Sequence, residues 1–266
     1  MSETLLTNFL LVTMAMALAW RIAVWIGDVS FIDAVWGFGM GLLTATSWWQ
    51  LTVPGASASL IASMAMIWGL RLGWHLFTRW RGQGEDARYA KILGGAKAEG
   101  RFADAALKRV FGPQALLLYM TCLPAQLGIL ANVALEQIGG LTAAGLALWL
   151  VGMVFEVIGD AQLKAFRANP DNRGRVLDTG LWRYTRHPNY FGDAAVWWGI
   201  WLASAEAGLW TMLASLPGPL FLTFTLTRWS GKPLLEAGLA KSRPGYADYV
   251  ARTSGFIPWW PKRPRP

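Results

Sequence analysis

Residues 183–193 read Arg-Tyr-Thr-Arg-His-Pro-Asn-Tyr-Phe-Gly-Asp and run directly into an apolar, tryptophan-rich stretch from Ala194 to Ala205. Polar side chains packed this densely against a hydrocarbon-length segment are costly in lipid unless something binds them. The string therefore reads as the mouth of a membrane helix with a binding site at that mouth. Everything else in the chain is weighed against it.

Composition agrees with a membrane setting. Of 266 residues, 54% are hydrophobic and only 15% are charged, against roughly 25% charged in an ordinary soluble domain. The 17 tryptophans exceed what a soluble core needs, and tryptophan favours membrane interfaces. Cys122 is the only cysteine, which excludes an intrachain disulfide, a zinc cluster and a CxxC redox pair. Two histidines, His75 and His187, are too few for a histidine-only metal site, and no metal is expected. A cleavable signal peptide is not expected either: the amino terminus lacks a basic n-region, and Leu5–Trp25 is long enough to span. The net charge of +8 comes without an RNP, zinc-finger or helix-turn-helix pattern, so no nucleic-acid partner is expected.

Apolar stretches of about 20 residues can cross the hydrocarbon core, and seven fall near 4–25, 31–50, 58–79, 112–134, 140–163, 189–205 and 208–227. The connections near 50–58, 134–140 and 205–208 carry no lysine or arginine, whereas the segments 80–111, 164–188 and 228–266 hold nearly all of them. Basic loops stay cytoplasmic. The expected fold is therefore all-α: a polytopic integral membrane protein of about seven transmembrane helices, amino terminus outside and carboxyl terminus cytoplasmic. Residues 1–266 form one membrane domain in this reading, with a substrate side over about 1–111 and a cofactor side over about 140–258. The 80–111 segment reads as a loop plus an amphipathic surface helix. Trp259-Trp260, followed by a basic, proline-rich tail, reads as an interfacial anchor.

Several residue groups can carry chemistry. Glu156, Asp160 and Lys164 stand at i, i+4 and i+8, with Arg167 one turn on, so they share a helix face. Lys164 and Arg167 alone read equally as helix-end ion pairs; the deeper carboxylates read as a site, because acids within spans face bundle interiors or cavities. Arg173, Arg175, Arg183 and Arg186 follow, and Arg228 and Lys232 lie past the last span. So many cations beside Asn189 and Asp193 suit a ligand with several phosphates, which guanidinium groups bind bidentately. Positive-inside topology explains arginines but not the adjoining His187, Asn189 and Tyr190. A second polar group follows the last span, with Glu236, Tyr246, Tyr249 and Arg252. Towards the amino terminus, Asp33 heads the second span as an N-cap or as a pocket acid. Arg71, His75 and Arg79 share one face, where a structural histidine is the commoner case. Glu85-Asp86-Ala-Arg88-Tyr89 is a compact charged knot in which Tyr89 is either a proton donor or part of an ordinary loop. No GxGxxG, GxxxxGK[ST], GxSxG or HExxH motif occurs, so a nucleotide would be held by helix ends and loops.

Leu181 through Asp193 resembles the signature of the steroid 5-alpha-reductase family and its bacterial relatives, over essentially the whole chain and most specifically over 156–252. Sterol C14- and C7-reductases and isoprenylcysteine carboxyl methyltransferases share a looser version. The methyltransferases also have Arg-His-Pro-x-Tyr-x-Gly, here Arg186 to Gly192, and a later run resembling Glu236, Tyr246, Tyr249 and Arg252. The reductase resemblance implies NADPH-dependent reduction of a carbon–carbon double bond conjugated to a ketone, as in a 3-oxo-4-ene steroid. It implies cofactor contacts at Glu156, Asp160, Arg167, Arg175, Asn189, Asp193, Arg228, Lys232 and Glu236. Lys164, Arg186, His187, Tyr190 and Tyr249 complete the candidate cofactor set. Animal members of the family have Glu where Asp193 stands, His for Lys232 and Tyr for Glu236. Their second-helix acid matches Asp33, and their tyrosine beside the substrate carbonyl falls on Leu76.

Candidate catalytic residues are accordingly Asp33, as the acid or the group orienting it, with His75 or Tyr89 as partner. The expected partners are a steroid or sterol-like enone and membrane lipid, for a monomer in a bacterial inner membrane with its cofactor site facing the cytoplasm. The leading alternative is an S-adenosylmethionine-dependent membrane methyltransferase. The cation count favours NADPH, because S-adenosylmethionine carries no phosphate. A transporter or lipid-binding protein fits less well, because no repeat is visible and the polar residues cluster on one side rather than at the midplane.

Overall fold

The computed structural model describes residues 1–131, 137–229 and 231–262, leaving aside the side chains of Gln83 and Leu234. Helices dominate; among the described residues the only β-pairing is an isolated parallel bridge between Thr185 and Ser254. The chain divides into two compact units, one of residues 1–143 with 200–218 and the other of 144–199 with 219–266.

In the first unit, α1 (Ser2–Ile26) buries Thr4, Asn8, Val12, Met16, Ala19 and Ala23, a single stripe at three- and four-residue spacing. Its opposite face exposes Leu6, Leu10, Met14 and Leu18. The outward face is thus more apolar than the inward one, as in a helix solvated by lipid and packed through small or polar residues. Gly27, at φ 72°, ends α1 with its N–H on Ala23 O, the left-handed stop for which glycine is suited. The next two helices, α2 (Ile32–Trp49) and α3 (Ala56–Gln83), meet backbone to backbone. A Cβ on Gly37 would stand 2.5 Å from Gly73 N, and one on Gly69 would stand 2.5 Å from Gly37 O. Two glycine pairs four apart, Gly37/Gly41 and Gly69/Gly73, make that approach possible.

Helix α4 (Ala87–Ala98) forms in the basic segment, where a loop plus a helix were expected. It is followed by α5 (Phe102–Ala106), a π-helical turn (Leu107–Phe111), α6 (Gly112–Thr121) and α7 (Leu123–Ala131). The path bends by 40° between α6 and α7, where Pro124 lacks an N–H and its ring crowds the preceding turn. Asn8 ties three helices together: its Nδ2 reaches Ser47 Oγ at 2.7 Å on α2 and Gln126 Oε1 at 2.9 Å on α7.

In the second unit, α8 (Gly140–Ala168), from residue 144 on, packs against α9 (Pro188–Ser204), up to residue 199. Glycines recur every seven residues, at 145, 152 and 159 on one helix and 192 and 199 on the other. A Cβ at Gly192 would lie 2.5 Å from Glu156 N, and one at Gly199 would lie 2.6 Å from Gly145 O. After α10 (Leu209–Ser215), α11 (Pro217–Phe224) and a π-helical turn (Thr225–Trp229), the chain ends in α12 (Lys232–Ser242), α13 (Tyr246–Arg252) and a tail. That tail runs along the polar string, with Arg186 N bonded to Ser254 O at 2.9 Å and Trp259 N to Tyr184 O at 3.0 Å. Trp259 and Trp260 stay exposed.

This is an integral membrane protein by the length and composition of its helices. Ser2–Ile26, Ala56–Gly82, Gly140–Ala168 and Leu209–Trp229 are each long and apolar enough to cross, and the bent pair Phe102–Thr121 with Leu123–Ala131 reaches that length and composition only when taken together, as a broken span or a re-entrant loop. The other two expected spans are helices in the expected places but fall outside that group. The reason is chemical: α2 carries Asp33 and several Gly, Ser and Thr residues, while α9 has 17 residues and opens on Asn189 and Asp193. The end of the span expected over 112–134 lies outside the described residues.

Candidate functional site

Polar groups gather in two places, one in each unit. In the first unit, a cleft of about 300 Å³ is lined by Asp33, Leu76, Arg79, Trp80, Glu85 and Asp86, among others. Asp33 sits in the first turn of α2. Its Oδ1 accepts a hydrogen bond from the Tyr89 hydroxyl at 2.8 Å, and its Oδ2 accepts one from Arg88 Nη2 at 2.6 Å. Arg79 Nη2 stands 3.7 Å from the same Oδ2, an ion-pair distance too long for a hydrogen bond.

The loop before α4 builds this arrangement. Asp86 caps α4, accepting from Arg88 N at 2.8 Å, and grips the Arg88 guanidinium through Nε and Nη2, both at 3.0 Å. That two-point hold leaves Arg88 Nη2 to bridge Asp86 and Asp33. Asp86 N donates to Ser30 Oγ at 2.7 Å, and Asp28 accepts from Ser30 N and from Trp80 Nε1. The two loops beside the cleft are therefore laced together. Burial alone would raise the Asp86 carboxyl, but the hydrogen bonds from Arg88 outweigh it and hold the group below the ordinary carboxylate range. Burial first, and then the charge of Asp33, push the Tyr89 phenol far above its usual range.

Among the sequence candidates, Asp33 thus lines the cleft and Tyr89 contacts it from behind, buried at 8% exposure. Neither Tyr89 nor His75 is a lining residue; Leu76 is. Arg88 was visible in sequence only as part of a charged knot. Gln114 and Trp36 were not singled out, although Trp36 Nε1 donates to Gln114 Oε1 at 2.6 Å. The available signal was a lone amide opening the apolar run of α6, since polar groups in such runs need partners.

In the second unit, Glu156 and Asp160 are buried one turn apart on α8, at 2% and 8% exposure. Asn189 Nδ2 donates to Asp160 Oδ1 at 3.0 Å, while its Oδ1 accepts from Tyr190 N. The His187 and Tyr190 rings stack at 5.3 Å and 6°. His187 Nε2 lies 3.0 Å from Glu236 Oε1, and Arg186 Nε donates to the same oxygen at 2.9 Å. Arg186 Nη1 also donates to the carbonyls of Val250 and Thr253. Arg186 and Glu236 therefore pin the head of α9 to α12 and the end of α13.

Burial lowers the pKa of His187, and the pull of Glu236 only partly offsets it; Lys232 and Arg186 add to the lowering. The ring is neutral at pH 7 and donates from Nε2 to an ionised carboxylate. Burial would raise Glu236, but His187 and Arg186 hold it down to about 2. The Tyr249 hydroxyl donates to Trp182 O at 2.6 Å. Lys232 Nζ and Arg186 Nη2 both crowd Gly255, where a Cβ would lie 2.6 and 3.1 Å from them. Lys164, Arg167, Arg175 and Arg228 are exposed, and Asp193 is half-buried in α9. Among the described residues no group of three or more His, Cys, Asp or Glu could hold a metal ion.

A family model described as "Protein of unknown function (DUF1295)" matches residues 19–253. The mouse protein named "3-oxo-5-alpha-steroid 4-dehydrogenase 1" is 39% identical over 82 residues, covering 31% of this chain and 29% of its own length. The human protein of the same name is 34% identical over 88 residues, covering 33% and 30%. The "Probable O-methyltransferase ustE" of Ustilaginoidea virens is 37% identical over 67 residues, covering 25% and 23%. The matches span less than a third of these relatives' lengths. No solved structure matches.

Proposed function

The chain belongs to the DUF1295 family, and from that premise we propose that it is a membrane-embedded reductase that uses NADPH to saturate the double bond of a steroid or similar apolar enone. The names of the reductase relatives support the reaction class. At the level of residues, the carrying observation is the cleft in which Asp33 is held by Arg88 and Tyr89 with Arg79 alongside.

NADPH, when bound, supplies a hydride to the β-carbon, which leaves negative charge on the ketone oxygen and calls for a proton from solvent at the α-carbon. The chain's own groups answer that charge. Arg79 lines the cleft and holds Asp33 only at 3.7 Å, so its N–H groups remain able to donate to a carbonyl oxygen. Preorganised positive charge of this kind stabilises a developing oxyanion. Asp33 accepts at both oxygens, so its assigned role is to orient these donors.

The donor set of the second unit suits the cofactor. Exposed Lys164, Arg167, Arg175 and Arg228 fit a pyrophosphate and a 2′-phosphate. Glu156 and Asp160 are buried acceptors fit for ribose hydroxyls or a carboxamide, with Asn189 orienting Asp160. Asp193, Tyr190 and Lys232 complete the set, while Arg186, His187, Glu236 and Tyr249 form the frame that holds it. The charge bias of the loops supports seven crossings, an outside amino terminus and a cytoplasmic cofactor side, and we propose a monomer of the bacterial inner membrane.

Thermal stabilisation of the detergent-purified protein tests the reading. NADPH should raise the melting temperature more than NADH does, and NADPH oxidation with a 3-oxo-4-ene steroid should yield the saturated ketone. The match to an O-methyltransferase supports one other reading; stabilisation by S-adenosylmethionine alone would replace the reductase with it.

A further inference from the structure

The cleft of the first unit has an apolar wall, and a residue outside the cleft fixes it. Leu76 and Trp80 line the cleft one turn apart on α3, and Trp80 is the one aromatic ring among the described lining residues. An indole N–H can only donate and a carboxylate can only accept, so the 2.8 Å bond from Trp80 Nε1 to Asp28 Oδ2 has a single direction. Asp28 is not itself a lining residue. Its Oδ1 accepts from Ser30 N at 2.7 Å, closing an Asx turn, and Ser30 Oγ accepts from Asp86 N at 2.7 Å. Three lining residues from three separate segments, Ser30, Trp80 and Asp86, are thus tied to one carboxylate. Because a donor meets each of its two oxygens, an amide in the same place would turn its NH₂ group on one of those donors. Phe31 and Phe77 flank the Trp80 ring with centroids 5.5 and 5.7 Å away, so packing and hydrogen bonding set its tilt together.

We infer that Trp80 is the surface on which the ring system of a flat apolar substrate lies, and that Asp28 is the positioning residue that fixes this surface. Fused rings bury more apolar area against a fixed indole than a flexible chain does, and a ring already locked has little side-chain freedom left to lose on binding. Arg79 lines the cleft from the same turn of α3, so the wall and the donor proposed for the carbonyl share one rigid element. The substrate class rests on the reductase reading; the lock between Asp28 and Trp80 does not.

The test has two readouts on the full-length protein in detergent. In the first, the protein is labelled with 5-fluorotryptophan, and the Trp80 resonance is identified by its loss in Trp80→Phe. Asp28→Asn, close to isosteric, should move that resonance in the unliganded protein. A 3-oxo-4-ene steroid should move it in the unaltered protein while the resonance of Trp259, exposed in the other unit, stays in place. The second readout is NADPH-dependent reduction. Trp80→Ala should raise KM for the steroid by about 10-fold or more and leave KM for an acyclic apolar enone within about 3-fold, as loss of a flat apolar surface does. Asp28→Asn should raise the steroid KM as well, and so should Trp80→Phe, a second variant that removes only the N–H end of the lock and keeps a ring. In the Trp80→Phe background Asp28→Asn should add no further loss, because the two act through one bond. A Trp80 resonance that the steroid leaves unmoved, or equal losses for both enones, would overturn the substrate wall. A resonance unmoved by Asp28→Asn, or losses that multiply independently, would overturn the positioning role. Absence of any enone reduction by the unaltered protein would instead overturn the proposed function and leave the fluorine results to decide both the wall and the lock.

Discussion

His187 and Glu236 meet at 3.0 Å as a neutral imidazole donating to an ionised carboxylate, not as an ion pair. Arg186 donates to the same carboxylate oxygen, so the invariant charge at this junction is the guanidinium. The junction joins the start of α9 to α12 and is sensitive to acid.

The sign follows from both groups. Glu236 is held at about 2 against an ordinary 4.5, so its contribution is complete above pH 4.5 and is lost as pH falls towards 2. His187 is lowered from 6.5, so below that pH the unfolded chain takes up a proton that the folded one refuses. Both act in one direction. Melting temperature should fall steadily from pH 7 to pH 4, and Glu236→Gln should lower it at pH 7 while flattening the acid limb. Scanning fluorimetry across pH measures this; a melting temperature that rises on acidification would contradict it.

Replacing Asp33 removes the acceptor that Arg88 and Tyr89 share. Asp33→Ala should cut steroid reduction by about 100-fold or more, the scale on which lost active-site orientation acts. Stabilisation by NADPH should stay within error, because the residues proposed to hold the cofactor lie in the other unit. Calorimetric titration with NADPH separates the two effects.

Leu76 lines the cleft with Asp33. Leu76→Tyr would bring a hydroxyl donor to the cleft wall. It should raise kcat for a 3-oxo-4-ene steroid several-fold, a gain of about 1 kcal/mol for one neutral hydrogen bond. Turnover assays with a single steroid are sufficient to check it.

Gly192 allows α8 and α9 to touch, since a Cβ there would lie 2.5 Å from Glu156 N. Gly192→Ala meets backbone, not a movable side chain, and should destabilise the protein by about 1–3 kcal/mol, the usual range for overpacking. Gly238→Ala, exposed inside α12 with nothing within 4 Å, serves as the contrast and should raise stability by up to about 1 kcal/mol, because alanine favours the helix. Comparative thermal melts in detergent distinguish the two.

The membrane class, the places of the helices and the polar string were readable before any coordinates, because each rests on local composition. Twenty apolar residues in a row, or arginines confined to alternate loops, carry their meaning wherever they fold. Glu156 and Asp160 were likewise foreseeable as buried, since an acid within a span cannot face lipid. The crossing count was less legible: hydropathy rewards apolar faces, whereas α2 is held by glycines and carries Asp33.

Partner choice needed the tertiary structure. Asp33 and Tyr89 are 56 residues apart, and Arg186 and Glu236 are 50 apart; no periodicity links positions so distant. Arg186, which sequence offered as a phosphate ligand, bonds Glu236 on α12 and the carbonyls of Val250 and Thr253 at the end of α13. Gln114 likewise met its partner, the Trp36 indole 78 residues away, only through packing. Sequence determined which groups must escape lipid, since solvation is a property of each residue. Which group each one escapes to depends on the register of packed helices, and only the fold sets that.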